Sequence, residues 1–259
     1  MSSKIEIVDF DLFFETMKAA AKLVKSAKLQ FSPEGLEIYG ACEMIARCEI
    51  VTTSVKSQDT FDFCIDDIGM LNRVLTTVKG VHKDSFDELS LSYSRPNLMF
   101  KSSKIKMKYS TCNESTISSW ISKKIEAKMT SVFELKTTSD LIKQLNGHTF
   151  LFTDTGAIKI YIETKDDMEK NAVFATLGNM DVDLGKEITL KMGLVTFGKI
   201  PEDKHLVIDV KRLNLFNCIP SNDIVISLTD KNCLLSKQKI AGKNGSSLSI
   251  NIYCSFMKG

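Results

Sequence analysis

Two stretches of the chain repeat one pattern at a constant offset. Phe31-Ser32-Pro33-Glu34-Gly35 returns as Phe152-Thr153-Asp154-Thr155-Gly156. Each is preceded by a short helical pattern (Leu23-Val24-Lys25, then Leu141-Ile142-Lys143) and followed by an alternating apolar strand (Leu36-Glu37-Ile38, then Ile158-Lys159-Ile160-Tyr161-Ile162). A second echo relates Ile65-Asp66 and Leu71-Asn72 to Ile208-Asp209 and Leu213-Asn214. The chain therefore reads as two diverged copies of one domain, and duplicated domains tend to build symmetric assemblies.

Two domains of ordinary size fit in 259 residues. The 43% hydrophobic and 25% charged fractions are those of a soluble globular protein. There is no 18-residue apolar run, and Met1-Ser2-Ser3-Lys4 leads straight into an alternating strand, so an intracellular protein with neither membrane span nor signal peptide is expected. The seven cysteines (Cys42, Cys48, Cys64, Cys112, Cys218, Cys233, Cys254) are odd in number and form no C-x-x-C pair, which favours reduced, buried thiols over disulfides or zinc. A net charge of +2 does not by itself mark a nucleic-acid binder; such a role needs charge gathered on one face.

Along the chain, a helix is predicted over 11–26, with Phe13, Met17, Ala20, Ala21 and Val24 inward and Lys18, Lys22 and Lys25 stacked on the other side. Strands follow at 27–31, 36–40 and 44–53, with Pro33-Glu34-Gly35 as the hairpin turn. A strand at 61–65 enters a helix with Asp66 as its N-cap, Ile68, Leu71, Leu75 and Val78 inward, and Arg73 and Lys79 outward. Hairpin strands at 88–93 and 97–101 and an alternating run at 104–109 end the first domain, 1–110. A polar connector spans 111–128. The second domain, 129–259, repeats the order, with helices at 138–145 carrying Lys143 and at 209–217 carrying Lys211 and Arg212. Each half is α+β with mostly antiparallel strands, whose edges must be covered.

No constellation argues for catalysis, and no cofactor or metal is expected. The outline G-x-x-x-x-G-K at 193–199 lacks the hydroxyl residue a phosphate loop needs, having Ile200 and then Pro201, so it reads as an ordinary loop. His82, His148 and His205 are scattered singly. Asp66-Asp67 marks a helix start and Asp166-Asp167 a polar turn. Asn113-Glu114-Ser115 and Asn244-Gly245-Ser246 match glycosylation sequons, which have no use in a chain without an export signal.

Basic residues occupy the solvated side of all four helical patterns. If symmetry aims these helices at one axis, their cationic groups line a channel that holds phosphates without reading bases. Lys104, Lys106 and Lys108 alternate with Ile105, Met107 and Tyr109, a pattern that either protects a sheet edge or pairs it with a neighbouring chain.

Phe31-Ser32-Pro33-Glu34-Gly35-Leu36-Glu37-Ile38, Ile65-Asp66-Asp67-Ile68-Gly69-Met70-Leu71-Asn72-Arg73-Val74-Leu75 and Val207-Ile208-Asp209-Val210-Lys211-Arg212-Leu213-Asn214-Leu215-Phe216 resemble, in order and spacing, the ring-shaped sliding clamps of DNA polymerases, of the proliferating cell nuclear antigen and T-even phage type. The resemblance spans nearly the whole chain. It implies two tandem clamp-type domains per chain and a homotrimer closed into a ring, with antiparallel sheets outside and helices lining the hole. Lys18, Lys22, Lys25, Arg73, Lys79, Lys143, Lys211 and Arg212 would face the DNA. Ile105, Met107 and Tyr109 would pair with Val173, Phe174 and Leu177 of the next chain. A partner-peptide pocket would comprise Ala41, Met44, Ile45, Cys48, Ile117, Trp120, Ile121, Tyr253 and Phe256, with Trp120, the only tryptophan, as anchor. The connector is richer in Lys and Ser than the family's acidic one, and the tail stops soon after the last strand, which fits a viral or phage clamp as well as a cellular one.

The implied function is a non-enzymatic processivity factor that encircles duplex DNA regardless of sequence, at sites of replication in the nucleus or the cytoplasm of an infected host. Its partners would be a replicative polymerase, a clamp loader and other proteins bearing short peptide motifs. The alternatives are a non-enclosing clamp-fold protein (a monomeric processivity subunit, a checkpoint-clamp subunit or a clamp-derived transcription factor) and a nucleic-acid enzyme whose active residues converge only in space.

Overall fold

Helical stripes and strand alternation sort the chain into two units. The computed structural model describes residues 2–42, 46–82, 86, 88–117, 129–148, 159–164, 172–178, 188–198, 206–209, 215–231 and 233–255. One unit comprises Met1–Glu126 together with Lys239–Ile250, the other Ala127–Gln238 together with Asn251–Gly259. The first contains β1 (Ser3–Ile7), α1 (Phe10–Leu23), β2 (Ala27–Ser32), β3 (Gly35–Cys42), β4 (Ala46–Thr52), β5 (Val55–Ser57), β6 (Phe61–Ile65), α2 (Ile68–Val81), β7 (Ser90–Ser94), β8 (Asn97–Lys101) and β9 (Lys106–Ser110). The second contains β10 (Ser131–Thr137), α3 (Ser139–His148), β11 (Lys159–Thr164), β12 (Ala172–Gly178), β13 (Ile188–Gly198), β14 (Leu206–Asp209) and β15 (Ile224–Thr229). The last two strands, β16 (Cys233–Ala241) and β17 (Ser247–Ser255), are neighbours whose connecting end, Lys239–Ile250, belongs to the first unit.

In the first unit the strands form an antiparallel sheet ordered β5-β1-β7-β8-β9 and an antiparallel run β4-β3-β2-β6. The turn predicted at Pro33-Glu34 joins β2 to β3 with Ser32 opposite Gly35, and the Ser32 hydroxyl accepts from the Glu34 amide at 3.2 Å. Gly35 has φ +146°, and a Cβ there would collide with the Thr52 carbonyl oxygen, so only glycine serves. The apolar stripe of α1 is driven inward: Phe13, Met17 and Ala20 are at most 1% exposed, and burying a side chain the size of Phe or Met is worth about 1.5–3 kcal/mol. In α2, Ile68, Leu71, Leu75 and Val78 are buried as their spacing predicts, with Val74 beside them.

Three features differ from the sequence reading. The cap of α2 is Asp67, not Asp66: its Oδ1 accepts from the Met70 amide at 2.9 Å, because the helix starts one residue later than the strand pattern suggests. Lys239–Ile250 belongs with the first unit, although it lies within the sequence expected to form the second domain. It is held by contacts that sequence distance hides, such as the Thr53 amide donating to the Ser247 carbonyl at 3.0 Å. The phosphate-loop outline is neither a nucleotide site nor a loop over its described part. Gly193 to Gly198 lie in β13, where a Cβ on either glycine would strike a carbonyl oxygen of β10, at Lys136 and Val132 respectively. These glycines permit close approach of two bulged strands.

The second unit is an antiparallel series ordered β14-β11-β12-β13-β10-β15-β16. Its helix α3 buries Ser139, Ile142 and Leu145. The repeated turn, Phe152-Thr153-Asp154-Thr155-Gly156, lies outside the described residues. Among the described residues, none of the six cysteines with described side chains, Cys48, Cys64, Cys112, Cys218, Cys233 and Cys254, is in a disulfide. No helix among the described residues is long and apolar enough to cross a membrane.

Candidate nucleic-acid interface

In the first unit α1 and α2 run antiparallel. The Ile68 amide at the start of α2 donates to the Lys25 carbonyl just past the end of α1 at 2.9 Å. At the opposite end, the Lys79 ammonium meets the Asp11 carboxylate at 3.0 Å. With their apolar stripes buried, the two helices leave Lys18, Lys22 and Arg73 exposed, with Lys25 exposed just beyond α1. No carboxylate occurs anywhere in α2.

The ion pairs on this surface are exposed. Lys18 pairs with Glu15 at 3.4 Å and Arg73 with Asp67 at 3.7 Å. Such pairs contribute about 0–1 kcal/mol, so an approaching phosphate competes with them at small cost. Lys79 is different. It is half-buried, lies 4.5 Å from the centre of the Phe14 ring and shares Asp11 with Lys243, which pairs at 3.1 Å. Lys79, expected to point outward, also ties α2 to α1, because Asp11 supplies the counter-charge. In the second unit, Lys143 on α3 is exposed and pairs with Asp140 at 3.1 Å. Lys211 and Arg212 lie outside the described residues.

The start of α1 is anchored by residues the sequence reading did not single out. The Asp9 Oδ1 accepts from the Leu12 amide at 3.0 Å, and its Oδ2 accepts from the Lys243 amide at 2.7 Å and the Ser246 hydroxyl at 2.9 Å. Burial opposes the charge on Asp9, but these three donors and the nearby Lys243 ammonium hold its carboxyl below the usual carboxylate range. Hydrogen bonds from Lys79 and Lys243 do the same for Asp11. An Asp directly before an apolar helical pattern is a cap signal that could have been read; Lys243, 234 residues away from Asp9, carries none.

Residues assigned to chain pairing fall on strands of two kinds. β9 borders only β8, so its outer edge is open among the described residues. Ile105 and Met107 beside that edge are half-exposed. Tyr109 is buried and its hydroxyl donates to the Asp67 carbonyl at 2.9 Å; burial first, then the Asp66 and Asp67 carboxylates, raise its pKa. β12, the expected partner strand, is paired along one edge with β11 and along the other with β13. Val173 and Leu177 are buried and Phe174 is half-buried. In this arrangement β12 offers no free backbone edge, because β13 occupies it.

Of the residues assigned to a partner pocket, Ile117 is 6% exposed and packs with Cys64, Ala41 and Cys112 in a small apolar cluster. Cys48 is buried on β4 opposite Gly40. Tyr253 on β17 is half-buried. Met44, Ile45, Trp120, Ile121 and Phe256 lie outside the described residues. Among the described residues, no group of three or more His, Cys, Asp or Glu side chains could hold a metal ion.

No family model matches the chain. No curated protein matches it. Solved structures do. The proliferating cell nuclear antigen of A. fulgidus, in a structure with the C-terminal region of FEN-1 bound to it, superposes with a TM-score of 0.71 over 100% of this chain and 99% of that one, at 11% identity. The proliferating cell nuclear antigen of Entamoeba histolytica superposes with a TM-score of 0.66 over 99% of this chain and 98% of that one, at 13% identity. The chain thus has the fold of the proliferating cell nuclear antigen type of sliding clamp along its full length.

Proposed function

We propose that this protein is a DNA sliding clamp: a homotrimeric ring that encircles duplex DNA, raises polymerase processivity and captures short peptide segments of its partners. It would act without chemistry of its own, inside the cell and at replicating DNA. The observation that carries this reading is the full-length clamp fold combined with the exposed Lys18, Lys22, Lys25 and Arg73 on two adjacent helices. Cations in that arrangement bind phosphates without base contacts, which suits a ring that slides. The FEN-1 segment bound to the A. fulgidus protein supports peptide capture. A polymerase and a loader are the partners such a ring needs. The open edge of β9 and the half-exposed Ile105 and Met107 support chain-to-chain pairing.

A second reading, a non-enclosing protein of the same fold, is favoured by β12, whose two edges are both occupied. A ring closed by β9 against β12 needs β13 to release that strand.

Sedimentation decides between them: a trimer is expected, and a chain that stays monomeric at high concentration removes the ring. The second arm loads the protein on nicked circular DNA and compares Lys18→Glu, Lys22→Glu and Lys25→Glu combined with the unaltered chain. Retention should fall while the trimer persists. Equal retention of both would remove the helix face from the DNA contact.

A further inference from the structure

Cys64 on β6 and Cys112, two residues past β9, face each other across an isolated antiparallel bridge. The Cys112 amide donates to the Cys64 carbonyl at 2.9 Å. Directly opposed residues of such a bridge carry their Cβ atoms on one face, with Cα atoms about 5.5 Å apart. That separation lies inside the range of roughly 4.4–6.8 Å that a disulfide spans. The two thiols also share their surroundings. Both pack in the apolar cluster of Ala41 and Ile117, and both line a pocket of about 180 Å³ with Lys28, Asp62, Arg95 and Glu114. Cys64 is buried and Cys112 half-exposed, so a reagent entering the pocket reaches Cys112 first.

We propose that Cys64 and Cys112 form a dithiol switch, closed by exchange with a low-molecular-weight disulfide and reopened by thiols. The Cys112 thiolate attacks one sulfur of the oxidant and expels one thiolate. The Cys64 thiolate then attacks the Cys112 sulfur of the mixed disulfide and expels the second. One S–S bond forms in the protein, one is broken in the oxidant, and the two protons lost by the cysteines end on the two released thiols. The bond would staple β6 to the 111–117 stretch. Lys28 already moors that stretch, meeting Asp62 of β6 at 2.7 Å and Glu114 at 3.2 Å.

The surroundings set the rate. Burial first, then Cys112 and the Glu114 and Asp62 carboxylates, push the Cys64 thiol up to about 11 against the pull of Lys28. Burial and Asp66 raise Cys112. Tyr109, and Tyr93 and Arg95 in the pocket lining, are the further titratable or charged groups around the pair among the described residues. Closure is therefore slow at neutral pH and quickens roughly tenfold per pH unit while the thiolate remains the minor form. The switch does not depend on ring formation.

The test incubates the full chain with glutathione disulfide, quenches with iodoacetamide and maps peptides by mass spectrometry. The expected product is a Cys64–Cys112 cross-linked peptide pair that dithiothreitol abolishes and that forms about tenfold faster one pH unit higher. Cys64→Ala removes the resolving thiol and should leave Cys112 carrying glutathione. Cys112→Ser, at the half-exposed position, should leave Cys64 unmodified, and keeps the test open if Cys64→Ala fails to fold. The proposal is overturned if both cysteines are alkylated as slowly as Cys218 and Cys254 without cross-linking. It is equally overturned if glutathione accumulates on Cys112 of the unaltered chain and is never displaced.

Discussion

α1 and α3 are the first helices of their units, and each is held at its first turn by a distant loop, one through a charge and the other through a hydroxyl. At α1, the Asp9 carboxylate accepts from Leu12, Lys243 and Ser246. At α3, the Thr138 hydroxyl accepts from the Leu141 amide at 3.3 Å. The Ser139 hydroxyl donates to the Ile219 carbonyl at 3.1 Å and accepts from the Ser221 amide at 2.7 Å. A hydroxyl both gives and takes, so two neutral partners satisfy it. A carboxylate only takes, and a buried one needs several donors to offset its lost hydration. Both solutions fix where a helix enters its unit. Only the charged one makes that attachment depend on pH.

Four measurements bear on this contrast. The largest effect is expected from Asp9→Ala, which removes the cap and strands the Leu12 and Lys243 amides, while the Ser246 hydroxyl keeps the Lys243 carbonyl: a loss of about 3 kcal/mol in urea unfolding. Amide exchange should quicken along α1 and leave α3 as it was. Ser139→Ala should cost about 1.5 kcal/mol, with faster exchange confined to α3, since a single buried amide loses its acceptor. If the two substitutions cost the same, charge confers no extra hold.

The third concerns acid. Asp9 and Asp11 have folded-state pKa values below their ordinary ones. Their stabilisation is complete above the unfolded carboxylate value of about 3.9 and is lost as pH falls through the depressed folded values. Protection of α1 should drop over that window. Asp9→Asn should flatten the α1 profile, while α3 serves as the internal reference. A profile that is equally steep in Asp9→Asn would shift the whole effect to Asp11 and other carboxylates. The smallest effects are expected at the exposed pairs Lys18–Glu15 and Lys143–Asp140. Lys18→Ala and Lys143→Ala should each change stability by less than about 0.5 kcal/mol, a bound that thermal unfolding can check.

The same contrast shows what can be read in an amino-acid sequence. The stripe of Phe13, Met17 and Ala20, the Pro33-Glu34 turn and the alternating strands are local periodicities that implied α+β units, and the clamp fold, which the family resemblance implied, is the fold observed. Asp66 and Asp67 were one residue apart in a choice that only the hydrogen bond to Met70 resolves. The 193–199 outline misled because glycines that allow strands to approach look, in sequence, like glycines that cradle phosphate. At the candidate site, the exposure of Lys18, Lys22 and Arg73 followed from helical spacing. The diversion of Lys79 to Asp11 arises from a partner 68 residues away and leaves no local trace, whereas β12 is enclosed by the strands directly before and after it in the chain.

The edge of β9 that is open among the described residues carries Lys106 and Lys108, with Lys104 just before the strand, all exposed. Two copies of this strand laid against each other would set ammonium opposite ammonium in one register, and ammonium opposite Ile105 or Met107 in the other. Like charges directly opposed destabilise a strand pair, and the mismatched faces are no better. Self-recognition through this strand is thereby discouraged, which favours a different edge as its partner. A head-to-tail contact of that kind either closes on itself or grows without limit, and the lysines on and just before this short strand bias the chain away from a simple two-fold dimer.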